Sequence, residues 1–137
     1  MRLRIGILIF VLLLPTLLVV AQDKTQAAEA AAEAWLRLVD SGDYSQSWVD
    51  ASSLFKSAVT EKDWYRQITA SRAPLGALIS RKLKSAEYKT ELPGAPDGQY
   101  VVIQYKSSFA NKKSAIETVT PMLDKNGQWR VSGYHIR

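Results

Sequence analysis

The chain has 137 residues, with 18 lysines and arginines against 13 aspartates and glutamates, one histidine, no cysteine and a net charge of +5. The lack of cysteine excludes a disulfide framework, thiol catalysis and cysteine-ligated metal. The charge excess is mild, fitting a preference for anionic surfaces but too small to imply nucleic acid, which usually shows as a concentrated basic stripe.

The opening "MRLRIGILIFVLLLPTLLVVAQDK" sets Arg2 and Arg4 before an uncharged apolar run from Ile5 to Val20, followed by small Ala21 and polar Gln22. These are the three parts of a secretory signal peptide, expected over residues 1–21. The run carries Gly6, Pro15 and Thr16 and is shorter than the about 20 apolar residues of a spanning helix. An exported chain, periplasmic or secreted, with no stable membrane span after cleavage is therefore expected. An uncleaved amino-terminal anchor is the rival reading. Loss of Arg2 and Arg4 lowers the charge excess from +5 to +3. Residues 22–137 suffice for one domain burying roughly two thirds of its unfolded surface.

From Thr25, "TQAAEAAAEAWLRLVDSG" places Ala28, Ala31, Ala32, Trp35, Leu38 and Val39 at helical spacing, with Gly42 suited to a left-handed terminal cap. Asp43, three residues before Gln46, is expected to form a capping box for a second helix through Tyr44, Trp48, Ala51, Leu54 and Phe55. Thr60 and Asp63 repeat the device for a third helix with Trp64, Tyr65 and Ile68.

After "SRAPLG" the pattern alternates. A long first strand from Ala77 to Glu91, with Leu78, Ile79, Leu83 and Tyr88 as its apolar members, precedes the turn-rich "LPGAPDG". A second strand shares Val101, Ile103, Tyr105 and Phe109 on one face. "SAIETVTPML" and, after "DKNG", "QWRVSGYHI" complete four strands. The expected architecture is α+β: three amino-terminal helices packed on a curved four-stranded antiparallel meander.

Trp35 with Leu36, then Asp40, Gly42, Tyr44, Ser47 and Trp48, followed by "FKSAVTEKDW", "SRAPLG", "PDGQYVVIQY", the Glu117 strand and "GQWRVSGYHI", resemble the bacterial family called domain of unknown function 4019. The layout also resembles the cone-shaped nuclear-transport-factor-2-like superfold. That resemblance implies a conical pocket between the long helix and the sheet. Members of the superfold include isomerases, dehydratases and binding or docking modules, so fold alone does not choose among them.

Candidate catalytic residues are His135, Glu117 and Tyr105. A histidine titrates near neutrality and could act as general base if Glu117 lay beside it, with a tyrosine hydroxyl as proton donor. The alternative is a strand-end histidine without chemistry. One imidazole without a thiol or closely spaced ligands supports no metal site, and no cofactor is implied. Arg72 in "SRAPLG" could bind an anionic ligand through its planar fork or lock the crossover by pairing with Asp40. Arg81, Lys82 and Lys84, with Lys89, Lys106, Lys112 and Lys113, could meet an anionic surface or protect a sheet edge. Trp35 and Trp48 could line an apolar cleft or serve as core. The leading reading is an exported non-catalytic domain that binds a partner protein, a small apolar ligand or an envelope polymer. A pocket isomerase or lyase, and a basic module docking on anionic surfaces, are the alternatives.

Overall fold

The computed structural model describes the backbone from residue 16 and side chains from residue 24, both through residue 137. The expected signal segment lies outside the described residues except for 16–21, which are helical. Helix α1 runs over Thr16–Asp40, beginning before the expected Thr25 because nothing between them breaks a helix. It buries Ala28, Ala32, Trp35, Leu36 and Val39. Leu36, rather than Leu38, is the buried leucine of its last turns.

Gly42, at φ 78°, ends α1: its N–H donates to Val39 O at 3.1 Å while Asp43 N–H donates to Leu38 O at 2.8 Å. That pair of bonds is a Schellman closure. It also defeats the expected capping box. Asp43 sits at φ −83°, ψ 64°, outside the extended region a capping residue needs, and its side chain makes no cap bond. Gln46 Nε2 donates to Asp50 Oδ1 instead, at 2.8 Å.

The expected second helix is two short ones, α2 over Tyr44–Val49 and α3 over Ser53–Ala58. The break has a tertiary cause. Ser52 N–H donates to Val131 O across to the sheet at 2.8 Å, and Ser52 Oγ caps α3 by accepting from Phe55 N–H at 3.1 Å. Helix α4 spans Glu61–Arg72, and its Thr60 cap accepts from Asp63 N–H as the sequence suggested. A 3₁₀ turn at Ala73–Leu75 and Gly76, at φ 72°, lead into the sheet. A side chain at Gly76 would also come within 3.1 Å of Ala110 and Asn111.

The strands β1 (Leu78–Lys89), β2 (Tyr100–Phe109), β3 (Lys112–Leu123) and β4 (Trp129–Ile136) form one antiparallel meander in chain order, with helices packed against one face. Val101, Ile103, Tyr105 and Phe109 are buried together under the helices, with Val119 and Val131 from the neighbouring strands. In β1, register shifts between Leu78 and Ser80 and between Leu83 and Ser85 break the alternation. Ile79, in the first irregularity, is 67% exposed, and Leu83, opposite Tyr105 on the outer strand of the sheet, is 46% exposed, although both were expected on the apolar face.

The helices hold to one another through tryptophan. Trp35 lies 5.9 Å from Trp64 and 5.3 Å from Tyr134, and Phe55 stands edge-on to Trp64 at 4.9 Å. Buried indole N–H groups need acceptors. Ser47, fully buried, provides two: its O accepts from Trp35 Nε1 at 2.8 Å and its Oγ from Trp64 Nε1 at 2.9 Å. Ser47→Ala leaves the Trp64 N–H unpaired and is expected to cost about 1–3 kcal/mol. Ser57→Ala, an exposed helix position, should change stability by less than about 0.5 kcal/mol. Urea midpoints of the two variants test the difference.

Candidate functional site

The ionisable residues of the interior meet where the end of α1, the end of α4 and the middle of the sheet converge. Strand alternation dictates part of this. Ala115, Glu117 and Val119 share the covered face of β3, so Glu117 points inward and is fully buried. Ser107 also faces inward, in β2 opposite Ala115, and Arg81 lies opposite it in β1.

Arg81 binds two carboxylates with one guanidinium. Its Nη1 and Nη2 donate to Asp40 Oδ2 and Oδ1 at 2.7 and 2.9 Å, while Nε and Nη2 donate to Glu117 Oε1 and Oε2 at 2.7 and 3.1 Å. The rigid fork of arginine suits such paired contacts, which a lysine could not reproduce. Arg72 adds a bond from Nη2 to Asp40 Oδ1 at 2.9 Å, and its guanidinium carbon lies 4.8 Å from the centre of the Phe109 ring. Arg72 therefore takes the crossover-locking role. Ser107 Oγ and Tyr134 OH donate to Glu117 Oε1 and Oε2, each at 2.5 Å.

A carboxylate offers about four lone-pair sites, and each oxygen of Glu117 receives two donors. No site on Glu117 is left to take a proton from a substrate. Burial raises the Tyr134 hydroxyl pKa, and the charge and hydrogen bond of Glu117 raise it further. Burial followed by the charges of Glu33 and Glu29 pushes Tyr105 up to about 12. The Tyr105 hydroxyl is buried with no hydrogen-bond partner among the described residues.

His135 is not brought to Glu117. Simple alternation along β4 would put Trp129, Val131 and His135 on one side, but a register shift beside Ser132 sets Tyr134 opposite Val119 and His135 opposite Thr118. Glu117 pairs with Ile136, so His135 projects from the other side of the sheet and is exposed. It stands at the rim of a groove of about 490 Å³ between α4 and β4, floored by Trp64, Ile68, Leu75 and Tyr134. Among the described residues, surface grooves of about 260 to 490 Å³ are lined by side chains other than Glu117, Arg81 and Tyr105, and one of about 290 Å³ beside the end of α1 is lined by Asp40 and Arg72.

The other candidates separate. Trp35 is core, and Trp48 is half-buried with its Nε1 donating to Val59 O at 2.8 Å. Lys82 and Lys84 are exposed, Lys82 on the uncovered face opposite Lys106 and Lys84 at the β1 irregularity. Among the described residues no group of three histidine or acidic side chains could hold a metal ion. Sequence reasoning overlooked Ser107 and Tyr134. The signal for Ser107 was present, a polar residue in the apolar row Val101, Ile103, Tyr105, Phe109; Tyr134 depends on the β4 shift and had none.

Burial alone would raise the Asp40 carboxyl, but hydrogen bonds and charge from Arg81, and then from Arg72, outweigh it and hold its pKa below the ordinary value. Stability from this group is then whole above the unfolded value of about 3.9 and drains as pH falls through the folded one. Asp40→Asn leaves buried guanidinium uncompensated and is expected to cost about 3–5 kcal/mol at neutral pH. The gap from the parent should narrow toward pH 3, which urea titrations at a series of pH values would show.

Neither a curated protein nor a solved structure matches the chain. A family model described as "Protein of unknown function (DUF4019)" matches residues 31–134, from the middle of α1 to the Tyr134 that closes the charge network. Covering most of the chain, this match shows that the protein belongs to the DUF4019 family.

Proposed function

We propose that this protein is an exported, non-catalytic domain whose interior charges are structural and which works by binding at its surface. One observation carries the reading: both oxygens of Glu117, the only fully buried carboxylate among the described residues, are saturated by Arg81, Ser107 and Tyr134. Proton abstraction requires a base with a free lone pair within hydrogen-bond reach of substrate. Export is supported by Arg2, Arg4, the apolar run Ile5–Val20 and Ala21. Among the described residues no helix is long and apolar enough to cross a membrane. Partner protein, small apolar ligand and envelope polymer are the classes of occupant; the groove over Trp64, Ile68 and Leu75 suits the second by its apolar floor.

The isomerase or lyase alternative makes the opposite demand, a proton acceptor in the interior. Incubating the protein in deuterated water with a panel of ketones and β-hydroxy acyl thioesters, followed by NMR, separates the two. Deuterium exchange and elimination at the buffer rate are expected. Exchange above that rate, abolished by Glu117→Gln, would overturn the proposal.

A further inference from the structure

The face of the sheet turned away from the helices has a charge pattern that neither packing nor edge protection explains. Lys82 in β1 stands directly opposite Lys106 in β2. On the other side of β2, the register shift between Ser107 and Phe109 gives β3 an extra residue, so that Lys113 and Ser114 both lie beside Ser108. Lys82, Lys106 and Lys113 with Ser80, Ser108 and Ser114 thus line one shallow depression of about 390 Å³. All three lysines are exposed, and among the described residues none makes an ion pair.

Like charges directly opposite on neighbouring strands, about 5 Å apart, destabilise a sheet. Lysine on an edge strand can be explained as a guard against edge-to-edge pairing, which covers Lys82. It does not cover Lys106 or Lys113, because β2 and β3 are inner strands with both edges already paired. Acidic residues do not balance the group. The four strands hold two acids, of which Glu117 faces inward and Glu87 pairs with Lys89 at 3.3 Å. The helical side carries Glu29, Glu33, Asp50, Glu61 and Asp63 but also Lys24, Arg37, Lys56, Lys62 and Arg66, so its charges are mixed, whereas those lining the depression are all positive.

We propose that this open face, centred on Lys82, Lys106 and Lys113, docks on an anionic phospholipid surface. The depression is open and shallow, its buried hydroxyl, Ser107, already donates to Glu117, and ammonium groups act as point charges rather than as a fork. That arrangement suits an array of headgroups. Aromatic residues that would stack bases are missing from the depression, which removes the usual single-strand platform. The apolar run Ile5–Val20 brings the chain to a bilayer, whether as a removable signal or as a retained anchor. Attraction to an anionic leaflet amounts to about 1 kcal/mol per lysine near the surface, or roughly fivefold in partitioning each. The proposal rests on the surface-binding reading above.

The full chain, mixed with vesicles of phosphatidylcholine alone or with 30% phosphatidylglycerol, is labelled briefly with an amine-reactive reagent, and each lysine is read by mass spectrometry. Such labelling reports contact at each residue independently of any insertion by the apolar run. On the anionic vesicles Lys82, Lys106 and Lys113 should be labelled at least threefold less than on the neutral ones, with Lys62 and Lys125 unchanged. The protection should vanish at 0.5 M salt, where exposed charges are screened within roughly 4 Å. Equal labelling on both vesicles, or equal protection of Lys62 and Lys125, would overturn the proposal. So would protection by soluble polyphosphate without protection by anionic vesicles. Turnover in the deuterium experiment would sink the non-catalytic reading alone and leave the lysine footprint unaffected.

Discussion

Arg81 holds a carboxylate from the end of the first helix and another from the third strand in one guanidinium, and the rest of the domain is arranged around that grip. Asp40 in turn receives Arg72 from the end of α4, so two helix ends and the middle of the sheet are tied at one point. Serine and tyrosine hydroxyls complete the shell of Glu117. Two arginines balance two acids, and the interior carries no net formal charge.

Such a network is a weak source of stability, because taking ions out of water costs nearly what their attraction returns. Its contribution here is position. Hydrophobic contacts between α1 and the sheet tolerate small shifts, whereas paired hydrogen bonds from a planar group do not. The Schellman closure at Gly42 sets where α1 stops, and so where Asp40 is presented. The 3₁₀ turn and Gly76 bring the chain from Arg72 back to β1 and Arg81 within a few residues. The region that looked most suited to binding a ligand is occupied by the protein's own contacts.

The two faces of the sheet consequently do different things. Beneath the helices, charges are few and paired, with the Arg72 guanidinium against the Phe109 ring. On the open face Lys82, Lys106 and Lys113 are exposed and, among the described residues, make no ion pair.

Much of this could be read from the residues alone. Period and punctuation identify four strands in meander order after an amino-terminal helical half, because apolar spacing and glycine placement act locally and do not need the fold. The Thr60 cap and the role of Gly42 are local in the same sense, and a pairing of Arg72 with Asp40 was one of two roles open to that arginine. What the sequence could not decide depends on register. The shift beside Ser132 turns Tyr134 inward and His135 outward, and the first one in β1 exposes Ile79. The break at Ser52 exists because Val131 O accepts from its N–H across the domain. A single residue of slip exchanges the two faces of a strand, and only the partner strand determines where the slip occurs. The charged residues Asp40, Arg72, Arg81 and Glu117 were therefore visible one by one in the sequence, while the part played by Ser107 and Tyr134, the meeting of all six at one point, and the clustering of the lysines on the opposite face belong to the tertiary structure.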